Sequence, residues 1–310
     1  MKRGLITTFT WGYRLGVNAI INGMDYHEND VHIHILYTPE VPESYIKRAC
    51  ETFPLVEFHS LTEYMEKYPP PDLSVVGTRW VLEFYKYRVA QDLGQMGYDA
   101  VVTMDCDFLI LGKIDLYFDV VAGTDLIMTS NCACKLAHAY DADPDVFIER
   151  MKADDMFIPL GCSPVFCDPR ESFGFYQAVL DMAAAHGADG TPLNKVIIRN
   201  RRLKDAYVLP SCFWCEAIWG KYPIELVEVN GKRCYMQFGD KLMMAHKRYW
   251  LQHDTYFEAE RVRDPSEREL VRANLDLLVN ECRTINTEWK LPLEIPPSFA
   301  CREKVKEVRS

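Results

Sequence analysis

What the 310-residue chain lacks is informative. No stretch approaches the ~18 consecutive apolar residues that mark a membrane-spanning helix. The opening residues, MKRGLITTFTWGYRLG, turn polar too early for the apolar core of a secretory leader. No Asn-x-Ser/Thr acceptor occurs. The 11 cysteines are odd in number and follow no short repeated spacing, so they write no disulfide framework. These absences lead to the expectation of a soluble, cytoplasmic protein with free thiols and no membrane span. Positive charge is also in deficit: 35 Lys and Arg against 45 Asp and Glu give a formal charge of −10. That excludes a whole-surface attraction to nucleic acid or anionic membrane, while a local basic patch stays open. There is no internal repeat and no low-complexity tract.

What is present suits a large core: 48% of residues are apolar, and the length fits one large α/β domain or two small ones. GLITTFT (4–10), DVHIHILYTP (30–39), LVEFHSL (55–61) and DAVVTM (99–104) read as strands. Between them VNAIINGM (17–24), PESYIKRACETF (42–53) and TRWVLEFYKYRVAQDLG (78–94) read as helices, the last stopped by Gly94 and Gly97. EKYPPPDLS (66–74) reads as a loop, because three prolines continue neither ladder. Alternation of this kind predicts a mostly parallel sheet with helices on both faces, whose ligands bind beyond the carboxyl ends of the strands. Further on, TDLIMTS (124–130) and PLGCSPVFCDP (159–169) are strand-like, residues 131–157 an excursion, and SFGFYQAVLDMAAAH (172–186) helical. CYMQFGDKLMMAHKRYW (234–250) holds strand-like runs ending near His246. DPSERELVRANLDLLVNECR (264–283) is a helix with Pro265 at N1 and Glu267 at N3.

The segment that raises a chemical question is GYDAVVTMDCDFLILG (97–112), where Asp105 and Asp107 interrupt an apolar run. Placing carboxylates there is costly unless a cation, a hydrogen bond or water meets them. A turn at Cys106 would let both carboxylates converge on one ion. Two oxygen donors favour Mg²⁺ or Mn²⁺, and such ions commonly complete their shell with substrate phosphates. The plainer alternative is a loop turn whose aspartates cap backbone amides.

DAVVTMDCDFLILGKID resembles the metal-binding signature of GT-A glycosyltransferases, in particular the glycogenin-like and related galactosyltransferase group. The resemblance implies a GT-A fold, Mn²⁺ or Mg²⁺ as cofactor, and a nucleotide-sugar donor, a UDP-sugar first. It gives Asp105 and Asp107 to the metal, with Asp105 also at the nucleotide. FYKYRVAQDL (84–93) resembles the family helix whose lysine reaches the nucleotide sugar, which points to Lys86, with Arg88 second. PLGCSPVFCDP is similar to the segment at the sugar pocket and points to Gly161 and Cys162. ADGTPLNKV (188–196) matches the family loop at Asp189 and Asn194, with Gly190 where the family has Gln. Asp189 is thereby the candidate catalytic carboxylate facing the oxocarbenium-like transition state, against a plain turn aspartate. LMMAHKRYW (242–250) is similar to the late histidine that completes the metal shell: His246 becomes the third ligand and Lys247, or Arg248, a diphosphate contact. At the end of the first strand, Thr8, Phe9, Trp11 and Tyr13 are placed to hold the base, the alternative for the rings being packing. Residues 1–260 would form the catalytic domain and 261–310 a helix and tail packed on it.

Two rival readings remain. A sugar-nucleotide pyrophosphorylase shares the metal chemistry but expects a glycine-rich phosphate loop where this chain reads TFTWGYRLGVNA. A zinc-bearing interaction protein would use Cys132, Cys134, Cys212 and Cys215. The acceptor is open: a glycan, a protein or a hydroxylated nucleic-acid base. KVIIRNRRLK (195–204) carries five cations and no acid, either as a solvated surface or as the seat of a polyanionic acceptor with salt-dependent binding.

Overall fold

The protein is described from a computed structural model. It describes residues 1–69, 78–131, 160–171, 177–178, 181, 206–208, 213–215, 222–246, 257–260, 262 and 264–295. In chain order the elements are β1 (Arg3–Phe9), a 3-10 turn (Trp11–Tyr13), α1 (Arg14–Tyr26), β2 (His32–Tyr37), α2 (Glu43–Thr52), β3 (Val56–Ser60), α3 (Leu61–Lys67), α4 (Thr78–Gln95), β4 (Ala100–Thr103), β5 (Phe108–Ile110), α5 (Asp115–Val121), β6 (Ile127–Asn131), β7 (Leu160–Cys167), β8 (Ala206–Val208), β9 (Phe213–Cys215), β10 (Glu225–Val229), β11 (Lys232–Gln237), β12 (Asp240–Lys241), β13 (Met244–His246), α6 (Phe257–Glu260) and α7 (Pro265–Glu288). The chain divides into two compact units: Met1–Gly12, Asn29–Cys106 and Lys113–Pro210 form one, and Tyr13–Glu28, Asp107–Gly112 and Ser211–Ser310 the other.

The first unit is built on a seven-stranded sheet of order β3-β2-β1-β4-β7-β6-β8. Pairings β3–β2, β2–β1, β1–β4 and β6–β8 are parallel, while β7 runs antiparallel to both β4 and β6. Six strands therefore share one direction and β7 opposes them. Its centre is buried on both faces: Leu5, Ile6, Ile35, Val101, Val102, Val165 and Phe166 have no exposed surface. That is why these strands read as continuous apolar runs. The chain moves outward from β1 through β2 to β3, then returns to place β4 on the other side of β1. The β1/β4 junction is thus a topological switch point, where open α/β sheets bind ligands at the strand ends.

The second unit has two small sheets, β10-β11-β12 and β5-β13-β9, and a helix pair. Helix α1 is buried without interruption from Leu15 to Met24. At Gly23 a Cβ would come within 3.1 Å of both the Cβ and the carbonyl oxygen of Ile110, so β5 lies against the helix backbone itself. Helix α7 begins as its sequence predicts: Asp264 accepts from the amides of Ser266 and Glu267, with Pro265 in the first turn. It runs five residues beyond the predicted end, to Glu288. Asn22 Nδ2 donates to the carbonyls of Ile285 (2.8 Å) and Leu291 (3.1 Å), and Asn18 Nδ2 to Asn286 Oδ1 (2.9 Å) and Leu291 O (2.8 Å).

The predicted loop at 66–74 begins later than expected, because α3 extends to Lys67; residues 70–77 lie outside the described residues, as do 132–159, most of 172–186 and the tail from 296.

Candidate active site

Strand β4 ends at Thr103, paired with Ile6 of β1 and Val165 of β7. Met104 still donates its amide to Ile6 O at 2.8 Å. Asp105 is the next residue, so the apolar strand delivers it to the carboxyl edge of the sheet at the switch point. A turn covers Cys106 and Asp107 before β5 begins, as convergence of the two carboxylates requires.

Two side chains hold Asp105. Lys86 of α4 has no exposed surface, and its Nζ donates to Asp105 Oδ1 at 2.8 Å. Burying an ammonium is costly without a partner, and the carboxylate supplies one. On helix α4, Tyr85, Val89, Ala90 and Leu93 are buried along with Lys86, so the lysine is part of that interior rather than a solvated face. The Asp105 amide donates to Ser163 Oγ of β7 at 2.7 Å. Ser163 went unassigned in the sequence, although it follows Gly161 and Cys162 directly; its role depends on the antiparallel placement of β7 beside β4.

Asp107 and His246 meet through strand pairing. The register of β13 on β5 sets His246 opposite Phe108. The imidazole stacks on the Phe108 ring, centroids 4.7 Å apart and planes 20° from parallel, and its Nε2 lies 3.2 Å from Asp107 Oδ1. Within the second unit, Asp107 and His246 thus bring a carboxylate and an imidazole together. A carboxylate beside an imidazole suits a dication of the Mg²⁺ or Mn²⁺ type, the imidazole favouring Mn²⁺, and Asp105, two positions earlier in the chain, is a further oxygen donor. Asp105 has a second oxygen besides the one facing Lys86, so ion pairing and metal ligation are compatible.

The other expected site residues separate into groups. Arg88 donates to Gln91 Oε1 (2.7 Å) and Gln177 Oε1 (3.4 Å), and its guanidinium lies 5.4 Å from the Tyr68 ring centroid. Thr8 and Phe9 stand at the end of β1 and are buried. The Phe9 carbonyl accepts from the amide of Thr38 (3.0 Å) and its hydroxyl (3.2 Å), and the Phe9 and Trp11 rings pack edge-on against Tyr45. Tyr13 closes the 3-10 turn. Gly161 and Cys162 lie on β7, two and one residues before Ser163. Asp189, Asn194, Lys247 and the basic run 195–204 lie outside the described residues. Among the described residues, the metal-competent groups contain no cysteine.

Comparison with solved structures gives the fold a precedent. The chain aligns over 87% of its length with the bifunctional glycosyltransferase WbbM, at TM-score 0.58 and 14% identity. It spans about half of that protein, 51%. The fold is GT-A. The galactosyltransferase LgtC, solved with donor and acceptor sugar analogues, aligns over 87% of this chain and 95% of its own, at TM-score 0.52 and 10% identity. The glycosyltransferase GlyE of Streptococcus pneumoniae aligns over 91% of this chain and 63% of its own, at TM-score 0.50 and 11% identity. No family model and no curated protein matches the chain. Among the described residues no helix is long and apolar enough to cross a membrane.

Proposed function

We propose that the protein is a metal-dependent glycosyltransferase that moves a hexosyl or pentosyl group from a nucleotide sugar, a UDP-sugar first, to an acceptor hydroxyl. The observation that carries this reading is Asp105, paired with buried Lys86, at the end of the switch-point strand of a GT-A fold, two positions before the Asp107 that His246 meets. Bound there, Mn²⁺ or Mg²⁺ would offset the negative charge that builds on the leaving diphosphate. The chain's own residues prepare the site. Lys86 and Ser163 fix the side chain and the backbone of Asp105, and Phe108 orients the His246 ring. Such preorganisation lets charge be stabilised without rearrangement at the moment of reaction. Further roles follow from the sequence resemblance: Thr8, Phe9 and Tyr13 at the base, Arg88, Lys247 and Asn194 at the donor, Gly161 and Cys162 at the sugar, and Asp189 at the reacting carbon. The acceptor reading places a polyanion on Lys195–Lys204.

A thermal-shift and hydrolysis screen of nucleotide sugars, with and without Mn²⁺, tests the proposal. One donor at 100 times its Kd should stabilise the protein by about 2.7 kcal/mol, only with metal present. Asp107→Ala should abolish that metal-dependent part and lower hydrolysis by roughly 100-fold or more. A panel in which no nucleotide sugar binds in a metal-dependent way, or in which Asp107→Ala binds equally well, removes the proposal.

A further inference from the structure

A second cluster of metal-competent side chains lies wholly within the seven-stranded sheet's unit, on strands β2 and β3. His34 pairs with Glu57 across these parallel strands, and Leu36 with His59. Since Glu57 and His59 are two residues apart, all three side chains share one face of the sheet. His34 Nδ1 is 3.0 Å from His59 Nε2 and 3.6 Å from Glu57 Oε2, and His59 Nε2 is 3.9 Å from Glu57 Oε1. In a tetrahedral zinc site with bonds of 2.0–2.1 Å, neighbouring ligand atoms are about 3.3–3.4 Å apart. The two ring nitrogens stand near two corners of such a tetrahedron, and a Glu57 oxygen lies within 4.8 Å of both.

We propose that His34 Nδ1, His59 Nε2 and the Glu57 carboxylate bind a zinc-type dication, separate from the site at Asp105 and Asp107. The outer partners fit this assignment. His34 Nε2 is 2.8 Å from the Tyr98 hydroxyl, and a proton on that nitrogen leaves Nδ1 as a donor to metal, the second-shell arrangement of ligating histidines. His34 is fully buried, but the Glu57 side chain is 57% exposed, giving the ion a way in. A metal here would clip the edge strand β3 to β2. This inference uses none of the residues that carry the glycosyltransferase reading.

The test is zinc retention and cobalt substitution on the full chain. After loading and desalting, the Asp107→Ala protein should hold one zinc per chain, and the cobalt form should show the intense visible absorption of a tetrahedral ion. His59→Gln and Glu57→Gln, both at partly exposed positions, should lose that zinc and that band while keeping the wild-type circular dichroism. Tyr98→Phe should weaken zinc by roughly tenfold or more without removing a ligand. Zinc retained equally by Asp107→Ala with and without His59→Gln, as thiolates would retain it, overturns the proposal, and so does an Asp107→Ala protein that retains none.

Discussion

Lys86 and Arg88 sit two positions apart on α4, and the difference between them is decided by tertiary contacts. Lys86 is interior and ion-paired with Asp105, whereas Arg88 meets Gln91, Gln177 and Tyr68. Removing the cation leaves a carboxylate, 27% exposed, without its charged donor. Lys86→Ala should therefore destabilise the metal-free protein by about 2–3 kcal/mol, somewhat less than for a fully buried pair. Added Mn²⁺ should restore part of that loss, so its thermal shift should be larger in Lys86→Ala than in wild type; calorimetry in both conditions checks this. The two aspartates were legible in the sequence because charge inside an apolar run demands an explanation. His246 was legible only beside them, since a lone histidine at a strand end is usually structural. Ser163 was not legible: its hydroxyl meets the Asp105 amide across 58 positions of sequence, through a strand pairing that local pattern does not reveal.

At the scale of elements, the long and strongly patterned segments were readable. Strands β1, β2, β3 and β4 and helices α4 and α7 stand close to where periodicity and stop signals put them. The short ones were not. Helix α3 was hidden by the prolines after it, although Ser60 followed by Glu63 is a capping-box pair and the Ser60 side chain does accept from the Glu63 amide. Strand β5 has three residues, and its partner β13 is far along the chain, so nothing local marks it as a strand. The α1–α7 pair rests on polar contacts inside an apolar interface. Asn22→Leu removes two donated hydrogen bonds and the acceptor of the Leu291 amide, which should cost about 2–4 kcal/mol. Thr287→Val, whose hydroxyl bonds to Arg283 O on an exposed face, should change stability by no more than about 0.5 kcal/mol. Urea unfolding of the two variants makes the comparison, and equal midpoints would contradict the buried role of Asn22.

For the whole molecule, acid sensitivity follows from histidines that fold neutral. Burial, then Lys241, Lys232 and Arg233, lower the pKa of His27 from 6.5 to about 3, and burial with neighbouring cations does the same at His34. Between pH 6.5 and 3 the unfolded chain binds protons at these sites that the folded chain does not. Stability is therefore complete above about pH 6.5 and falls as pH drops, by up to roughly 1.4 kcal/mol per pH unit for each group. Denaturation measured at pH 7, 6 and 5 should show this loss, and His27→Gln should make the slope shallower; an unchanged slope would show that His27 is protonated in the folded protein. The asparagines of α1 carry a different consequence, one of time. Asn18 and Asn22 are made before their partners at Ile285, Asn286 and Leu291, which follow more than 260 residues later. At roughly 5–20 residues per second, α1 waits on the order of tens of seconds for them. During that wait the ribosome-bound chain presents a helix whose apolar and amide groups still lack the cover that α7 brings, so α1 is the segment of the growing chain on which chaperone occupancy should concentrate.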